Sequence, residues 1–184
     1  MCHNLLSSSG FFQLLWRIDQ DLANEVYLQG CSCGGRLHKA NYPRKPRGCL
    51  TTLRWLFCLR FSFCCYQCRR RHTPRSVRFL GRRVYIALAI VLVSNRPTTL
   101  QQASLALQVP ANTLRRWSRW WRDDFPQTRF WQAHQGHLMP PVEVKQLPAS
   151  LLVRFTGHGE QSLQQLLLFL SPLSVRTIMI TRGS

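Results

Sequence analysis

The chain has 184 residues, 45% of them hydrophobic, which is enough for one ordinary domain or two small ones and excludes a wholly disordered protein. Lys and Arg total 25 against 7 acidic residues, so the formal net charge is +18. So many positive charges repel one another and destabilise a compact state, and binding to a polyanion relieves this repulsion. Because nearly all the basic residues are arginine, whose planar fork of donors suits phosphate and guanine, the composition predicts a nucleic-acid partner. An anionic membrane surface is the main alternative.

The acidic residues are too few for a catalytic metal core. A two-metal nuclease or transposase needs several carboxylates that converge on Mg²⁺. Asp123 and Asp124 are adjacent, but they close a basic helix, where a structural role fits better. We therefore expect a binding protein rather than an enzyme, with no catalytic residues.

Two features of the sequence bear on location. Residues 1–10 lack the basic start of a secretory signal, and the apolar run Tyr85–Val93 is about half as long as a bilayer span. We therefore expect a cytoplasmic, nucleoid-associated protein without a membrane partner. In a reducing cytosol, clustered thiols indicate metal binding more often than disulfides, and the chain has eight cysteines.

The first predicted element is an amphipathic helix over Phe11–Leu28, within an N-terminal segment of residues 1–29. Its apolar residues recur three or four positions apart, at Leu14, Leu15, Ile18, Leu22 and Val26. The helix also holds three of the seven acids, so we expect it to serve packing or a protein contact rather than DNA contact.

Residues 30–81 have the features of a small zinc-ribbon-like module. Cys31–Gly35 has the form of a metal knuckle, in which glycine after the second thiolate lets backbone amides turn toward sulfur. The aromatic and hydrophobic content of Leu53–Phe63 predicts a strand that leads into a second knuckle at Cys65 and Cys68. Ser76–Leu80 is predicted to add the last ribbon strand.

Four cysteines are the candidate metal ligands: Cys31, Cys33, Cys65 and Cys68. A tetrahedral Zn²⁺ site takes four soft ligands, normally from two C-x₂-C knuckles, and the first pair here is one residue shorter. Three further residues could substitute for a ligand: Cys64, His38 and His72. Buried thiols that bind no ion are the alternative. If zinc binds, it replaces a core that so small a segment cannot otherwise build.

Residues 82–140 have the pattern of a helix-turn-helix domain that begins with a helix over Arg82–Ser94. Leu100–Leu107 is predicted as the first short helix of the motif and Ala111–Arg122 as the second. Gln108, in the turn, stands where a left-handed glycine is common, at a cost of about 1 kcal/mol. The two helices are expected to pack through Leu107, Val109, Leu114 and Trp117.

Nucleic-acid contacts are predicted on two parts of the chain. The exposed side of the second helix would contact bases and phosphates, and arginines after the second knuckle would hold the phosphate backbone. The predicted contact residues are Asn112, Thr113, Arg115, Arg116, Arg119, Arg69, Arg70, Arg71, Arg82 and Arg83. Because of their helical spacing, core packing rather than an exposed stacking platform is expected for Trp117, Trp120, Trp121 and Trp131.

The remaining signals concern the C-terminal part. A short helix is expected around Thr128–His134, and the tail, residues 141–184, is expected to hold an apolar helix over Ser162–Leu170 and a strand over Ser174–Thr181. The expected fold class is therefore α+β and mainly α, with a small zinc-ribbon-like β module followed by a helix-turn-helix helical domain.

The order of these motifs resembles a known group of proteins. CSCGGRLH, NYPRKPRG and FCCYQCRRRHTPRSVRFLGRRVY, followed by a helix-turn-helix, are similar to small zinc-ribbon and helix-turn-helix proteins encoded with bacterial insertion sequences, and to the DNA-binding front ends of transposases. The likeness covers roughly Cys31–Trp121. It implies DNA binding linked to a mobile element, with the four cysteines as metal ligands and a transposase or other mobile-element protein as partner. It also implies a recognition helix that carries Arg115, Arg116 and Arg119.

Three alternatives stay open beside a protein that binds duplex DNA. Zinc ribbons with arginine runs also serve in RNA-binding or ribonucleoprotein-associated basic zinc proteins. A nuclease or recombinase that works alone is disfavoured by the scarce carboxylates. A decayed reading frame would give a product that folds poorly.

Overall fold

The computed structural model describes residues 8–79, 101, 104–105, 108–155 and 160–175. Over these residues the protein is α+β and mainly helical, with two small antiparallel sheets. The fold class expected from the sequence is confirmed at this level. The predicted helix over Arg82–Ser94 lies outside the described residues.

The N-terminal helix, α1, runs from Ser9 to Gln29. Ser8 caps it, because its hydroxyl accepts a hydrogen bond from the Phe11 amide over 3.4 Å. Gly30 ends it with φ +69°. The helix predicted over Phe11–Leu28 is thus confirmed, and its buried face comprises Phe11, Phe12, Leu15, Ile18, Asp19, Leu22 and Ala23.

The described residues include five short strands: β1 (Leu37–Lys39), β2 (Tyr42–Pro43), β3 (Leu59–Arg60), β4 (Phe63–Cys65) and β5 (Arg71–His72). Strand β4 lies between β1 and β5, and both pairings are antiparallel. Strands β2 and β3 form a second antiparallel pair. The register places Leu37 opposite Cys65, so the two knuckle segments lie side by side.

The single strand predicted over Leu53–Phe63 is wrong in its first half. A 3₁₀ turn (Thr51–Leu53) and a short helix, α2 (Arg54–Phe57), precede β3. The physical reason is the spacing of Leu53, Leu56 and Phe57, which puts three apolar side chains on one helical face against the core. Aromatic content alone did not distinguish this face from a strand.

The strand predicted over Ser76–Leu80 is wrong over its described residues, and Leu80 lies outside them. The third strand of the sheet is β5, whereas Ser76 to Phe79 form a buried bend. The Asp19 carboxylate accepts the Val77 amide over 2.6 Å, and the Ser76 hydroxyl accepts the amides of Arg78 and Phe79. Side chains therefore satisfy backbone donors that a strand would offer to a neighbour.

The described residues after 108 are mainly helical. Helix α3 (Ala111–Arg119) continues as a π-helical turn (Trp120–Asp124) and a 3₁₀ turn (Phe125–Gln127). Helix α4 (Arg129–His134) follows, with the Thr128 hydroxyl as its cap, and 3₁₀ turns cover Gln135–His137 and Val144–Gln146. Helices α5 (Ala149–Arg154) and α6 (Glu160–Leu170) lead to a last 3₁₀ turn (Ser171–Ser174).

These elements confirm the helices predicted over Ala111–Arg122, Thr128–His134 and Ser162–Leu170. The strand predicted over Ser174–Thr181 is not formed at its first residue, which belongs to the last 3₁₀ turn, and residues 176–181 lie outside the described part.

One main hydrophobic core joins the N-terminal helix to the C-terminal half. It draws on α1, α2, the bend at residues 76–79, α3 and α6. Trp117, Trp121 and Trp131 are fully buried in it, which confirms core packing for these tryptophans. A smaller core lies beneath the knuckles and consists of Ala23, Cys31, Leu37, Phe63 and Cys65.

The described helices were also compared with the length and hydropathy that a bilayer requires, and none of them is long and apolar enough to span one.

Candidate metal centre and nucleic-acid interface

The sulfurs of Cys31, Cys33, Cys65 and Cys68 form one cluster. The Sγ atoms of Cys31 and Cys68 are 3.5 Å apart, as are those of Cys33 and Cys31 and those of Cys33 and Cys65. All four lie within 4.8 Å of one another. The structure thus brings together all four cysteines that the sequence singled out, including the pair with the short spacing.

These distances fit a shared ion better than a disulfide. A disulfide needs about 2.05 Å between sulfurs, well below the distances found. Four thiolates at ~2.3 Å from a tetrahedral ion lie roughly 3.8 Å apart, close to the distances found here. The four residues can therefore hold a thiophilic metal ion with little movement.

The first knuckle, Cys31–Gly35, depends on both of its glycines. The Gly34 amide donates to the Cys31 carbonyl over 2.8 Å. Gly34 has φ +78°, a backbone conformation that residues with a Cβ rarely adopt. Gly35 is required for space, because a Cβ there would come within 2.7 Å of the Cys65 sulfur. This turn lets a pair with only one residue between its cysteines direct both sulfurs into the cluster.

The second knuckle, Cys65–Arg69, is closed by a similar hydrogen bond that spans one more residue, and it contains no glycine. The Arg69 amide donates to the Cys65 carbonyl over 3.1 Å, and the Cys65 amide donates to the Arg70 carbonyl over 3.0 Å. Arg69 directly follows the second cysteine, as Gly34 does in the first knuckle, and has φ +57°. The left-handed backbone of Arg69 was not predicted, although its position directly after Cys68 matches that of Gly34 after Cys33.

The cluster is half inside the protein. Cys31 and Cys65 are buried over the smaller core, whereas Cys33 and Cys68 are exposed. A backbone hydrogen bond at Arg70 lowers the pKa of the Cys68 thiol, but the neighbouring sulfurs, chiefly those of Cys31 and Cys33, raise this pKa to about 12. A cation at the centre would favour the thiolates instead, because it offsets their mutual repulsion.

The three substitute ligands lie outside the cluster. Cys64 is next to Cys65 in β4, so its side chain belongs to the other face of the strand, where its sulfur is 3.5 Å from the Arg69 carbonyl. The His38 ring packs edge-to-face on Tyr66. His72 is placed opposite Phe63 in the sheet and is not part of the group of four.

Helix α3 presents most of its predicted contact residues to solvent. Asn112, Arg115, Arg116 and Arg119 are exposed. The Arg115 guanidinium donates to Asn112 Oδ1 over 2.7 Å, which holds the two side chains together. Thr113 differs from its neighbours, because it is 3% exposed and lies on the inner face with Leu114 and Trp117. It is therefore placed to support Arg116, which donates to its hydroxyl over 3.3 Å.

The turn before α3 adopts the backbone conformation predicted for it. Gln108 has φ +50°. On either side of it, the Val109 amide donates to the Ser104 carbonyl and the Ser104 hydroxyl donates to the Val109 carbonyl over 2.8 Å. Gln101, Ser104 and Leu105 are helical, and the rest of the predicted first helix lies outside the described residues, Leu107 included.

The arginines at residues 69–71, which were predicted to contact nucleic acid, differ in their hydrogen bonds to the rest of the protein. Arg69 and Arg70 are exposed, and Arg70 donates to the Ser32 hydroxyl over 3.4 Å. Arg71 is exposed too, but its Nη1 donates to the Ala40 carbonyl and the Ser62 hydroxyl, so it also ties β5 to its neighbours. The predicted contacts at Arg82 and Arg83 fall outside the described residues.

Two buried arginines were not anticipated. Arg78 forms an ion pair with Asp19, the only one among the described residues, and Arg60 donates to the Pro74 carbonyl. Burial lowers the pKa of Arg60, and the nearby Asp19 carboxylate opposes this effect. Because Arg78–Asp19 is the only ion pair within the described part of the chain, the exposed arginines of α3 and those at residues 69–71 have no carboxylate within 4 Å there.

The chain was compared with protein-family models, curated proteins and solved structures, and none of them matches it.

Proposed function

We propose that this protein binds duplex DNA through the exposed side of α3, with a zinc-held ribbon as a second contact. The observation that carries the proposal is the distribution of charge on α3. Three arginines and Asn112 lie on the exposed side, without a carboxylate partner among the described residues, while Leu114 and Trp117 anchor the opposite side in the core. Fixed, unpaired cations of this kind attract a polyanion.

The side chains on α3 suit the major groove. Arginine can bind guanine through two hydrogen bonds, and asparagine can bind adenine in the same way. We propose that α3 acts as the second helix of a helix-turn-helix, with the left-handed Gln108 in its turn. Arg69 and Arg70 would contact phosphates, and the same role remains a prediction for Arg82 and Arg83.

The ion we propose at the cysteine cluster is Zn²⁺. It would be held by Cys31, Cys33, Cys65 and Cys68, whose four clustered sulfurs match the soft donors that zinc takes in tetrahedral sites. Zinc would provide structural cross-linking rather than chemistry. The chain itself supplies the rest of the ribbon, through the β1–β4 pairing and the small core beneath the cluster.

The wider setting of this function rests on sequence resemblance. The order of knuckles, arginine run and helix-turn-helix supports a proposed association with a mobile element, and hence a cytoplasmic, nucleoid-associated protein that meets a transposase or another element-encoded protein. We propose a binding role without catalysis. Incubating the purified protein with DNA and Mg²⁺ tests this, and cleavage would overturn it.

Fluorescence anisotropy with a labelled duplex, repeated over a range of salt concentrations, tests DNA binding. We expect the logarithm of affinity to fall linearly with the logarithm of salt, by about 0.9 for each phosphate contacted. Arg115→Ala and Arg119→Ala should each weaken binding, whereas Arg17→Ala, an exposed arginine on α1, should not. Binding without a salt slope would contradict the proposal, and preferential competition by structured RNA would favour an RNA partner instead.

A further inference from the structure

Tyr66 is an exposed aromatic residue on a rigid support. It lies inside the second knuckle, between Cys65 and Cys68, and its amide donates to the Arg36 carbonyl over 2.9 Å. Its backbone is therefore held by the second knuckle and by the residue that follows the first, while its side chain is 64% exposed. Exposed tyrosines are common and need no explanation alone. The rigid attachment and the surroundings of this one make it different.

The surroundings of the Tyr66 ring are basic and aromatic. The His38 ring packs against it at 5.7 Å between centroids in an edge-to-face arrangement, and the Arg69 guanidinium lies over the ring with its carbon 5.9 Å from the centroid. Arg36 and Arg70, each the residue that follows a knuckle, are exposed as well. No Asp or Glu occurs between Glu25 and Asp123, so no neighbour in sequence offsets this charge. A negatively charged ligand that also offers a flat face suits such a site.

We propose that Tyr66 stacks on an unpaired nucleobase while the adjacent arginines hold the flanking phosphates. This inference rests on the proposed function and adds to it a preference for single-stranded nucleotides beside a duplex. Inside a duplex each base face is covered by its neighbours, so an aromatic ring can stack only where pairing ends or is interrupted. Base stacking on an aromatic side chain tolerates any sequence, because every base has a π-face.

Three DNAs separate base stacking from charge. They share one duplex and differ at one end, which is blunt, carries a short thymidine overhang, or carries an abasic overhang of equal length. The abasic strand keeps the phosphates and removes the bases. For the full-length protein loaded with Zn²⁺, we expect the thymidine overhang to bind roughly tenfold more tightly than the abasic one.

The variants locate this effect at the knuckle. Tyr66→Ala should reduce the ratio of the two affinities to about one, while Tyr66→Phe, which keeps the ring, should preserve it. Trp55→Ala removes another exposed aromatic of the ribbon module, outside the knuckles, and should also preserve the ratio. Zinc content is measured for each variant, so that a folded knuckle is verified separately.

The outcomes distinguish this inference from the proposed function. Equal binding of thymidine and abasic overhangs by the unaltered protein, or an equal loss in Trp55→Ala, overturns stacking by Tyr66 even if the blunt duplex binds. If the blunt duplex does not bind but the overhang preference still depends on Tyr66, the proposal of duplex recognition is wrong and the stacking proposal is supported. If none of the three DNAs binds, both proposals fall.

Discussion

Arg78 Nε donates to Asp19 Oδ2 over 2.7 Å, and both side chains are almost wholly buried. The same carboxylate accepts the Ser76 hydroxyl and the Val77 amide, so one acid of α1 satisfies three donors of the bend at residues 76–79. The Arg78 guanidinium also donates to the Leu56 carbonyl and lies over the ring of Phe61. This pair therefore joins α1, α2 and the bend in the main core.

Replacing Asp19 by Ala should strongly destabilise the fold. The change leaves the Arg78 charge buried without a partner, which typically costs about 3–5 kcal/mol in the free energy of unfolding. Chemical denaturation measures this loss. Asp21→Ala, an exposed acid on the same helix, is the matched control and should change the free energy by less than about 0.5 kcal/mol. A loss in Asp19→Ala as small as that of the control would contradict the role of the buried pair.

Substitutions at the adjacent residues Cys65 and Cys64 test whether the cysteine cluster binds zinc. Cys65→Ser removes a sulfur of the cluster, so we expect the protein to lose most of its bound Zn²⁺ and to unfold at lower denaturant concentration. Cys64→Ser alters the neighbouring residue on the other face of β4 and should keep one zinc ion per chain. Metal analysis after dialysis gives the ratio directly. Equal zinc content in the two variants would argue against the cluster as the binding site.

Adding a Cβ at Gly34 and removing the side chain at Arg69 should have different effects on stability. Gly34→Ala introduces a Cβ at φ +78° and should destabilise the ribbon by about 1 kcal/mol, whereas Arg69→Gly relieves a similar strain at φ +57° and should be neutral or stabilising. Thermal unfolding of the zinc-loaded protein measures both changes.

Gly35→Ala should be worse than Gly34→Ala, because its Cβ would meet the Cys65 sulfur and disturb the cluster itself. Gly136→Ala, where an added Cβ meets nothing within 4 Å, controls for the loss of glycine. The idea fails if Gly35→Ala binds zinc with unchanged affinity and keeps the same unfolding temperature.

Neighbouring positions on α3 should separate DNA binding from folding. Asn112→Ala removes an exposed polar group of the proposed base-reading side, and we expect it to weaken binding to a preferred duplex by about 1–3 kcal/mol. Thr113→Val alters a buried residue and should change the stability more than the DNA affinity. Anisotropy titrations and denaturation of both variants are compared. A larger affinity loss in Thr113→Val than in Asn112→Ala would reverse the assignment.

The sequence was most informative where local chemistry decides the outcome. Helix α1 follows from the spacing of its apolar residues, and the cysteine cluster could be predicted because two close pairs of cysteines match the donor set that a soft metal ion takes. The left-handed Gln108 was predictable because a tight turn between helices requires that conformation. In each case the determining residues are close together or share an unusual chemistry.

The wrong predictions concern segments whose conformation or burial depends on residues far away in the sequence. Ser76 to Phe79 contain residues that suit a strand, but Asp19, 57 residues earlier than Ser76, binds their donors and bends the chain. The burial of Thr113 among polar neighbours likewise depends on the core that α3 packs against. Neither the acceptor of a backbone amide nor the orientation of a helix face can be derived from local pattern alone.

The bend at residues 76–79 also has a consequence for the order of events during synthesis. The Ser76 amide donates over 2.8 Å to the hydroxyl of Ser174, a partner 98 residues further along the chain. A nascent chain that has emerged as far as residue 79 therefore already has Asp19 but still lacks the Ser174 hydroxyl, the acceptor of the Ser76 amide. Contacts of such long range form late and slowly, so the four clustered cysteines can come together well before the 3₁₀ turn at Ser171–Ser174 completes the main core.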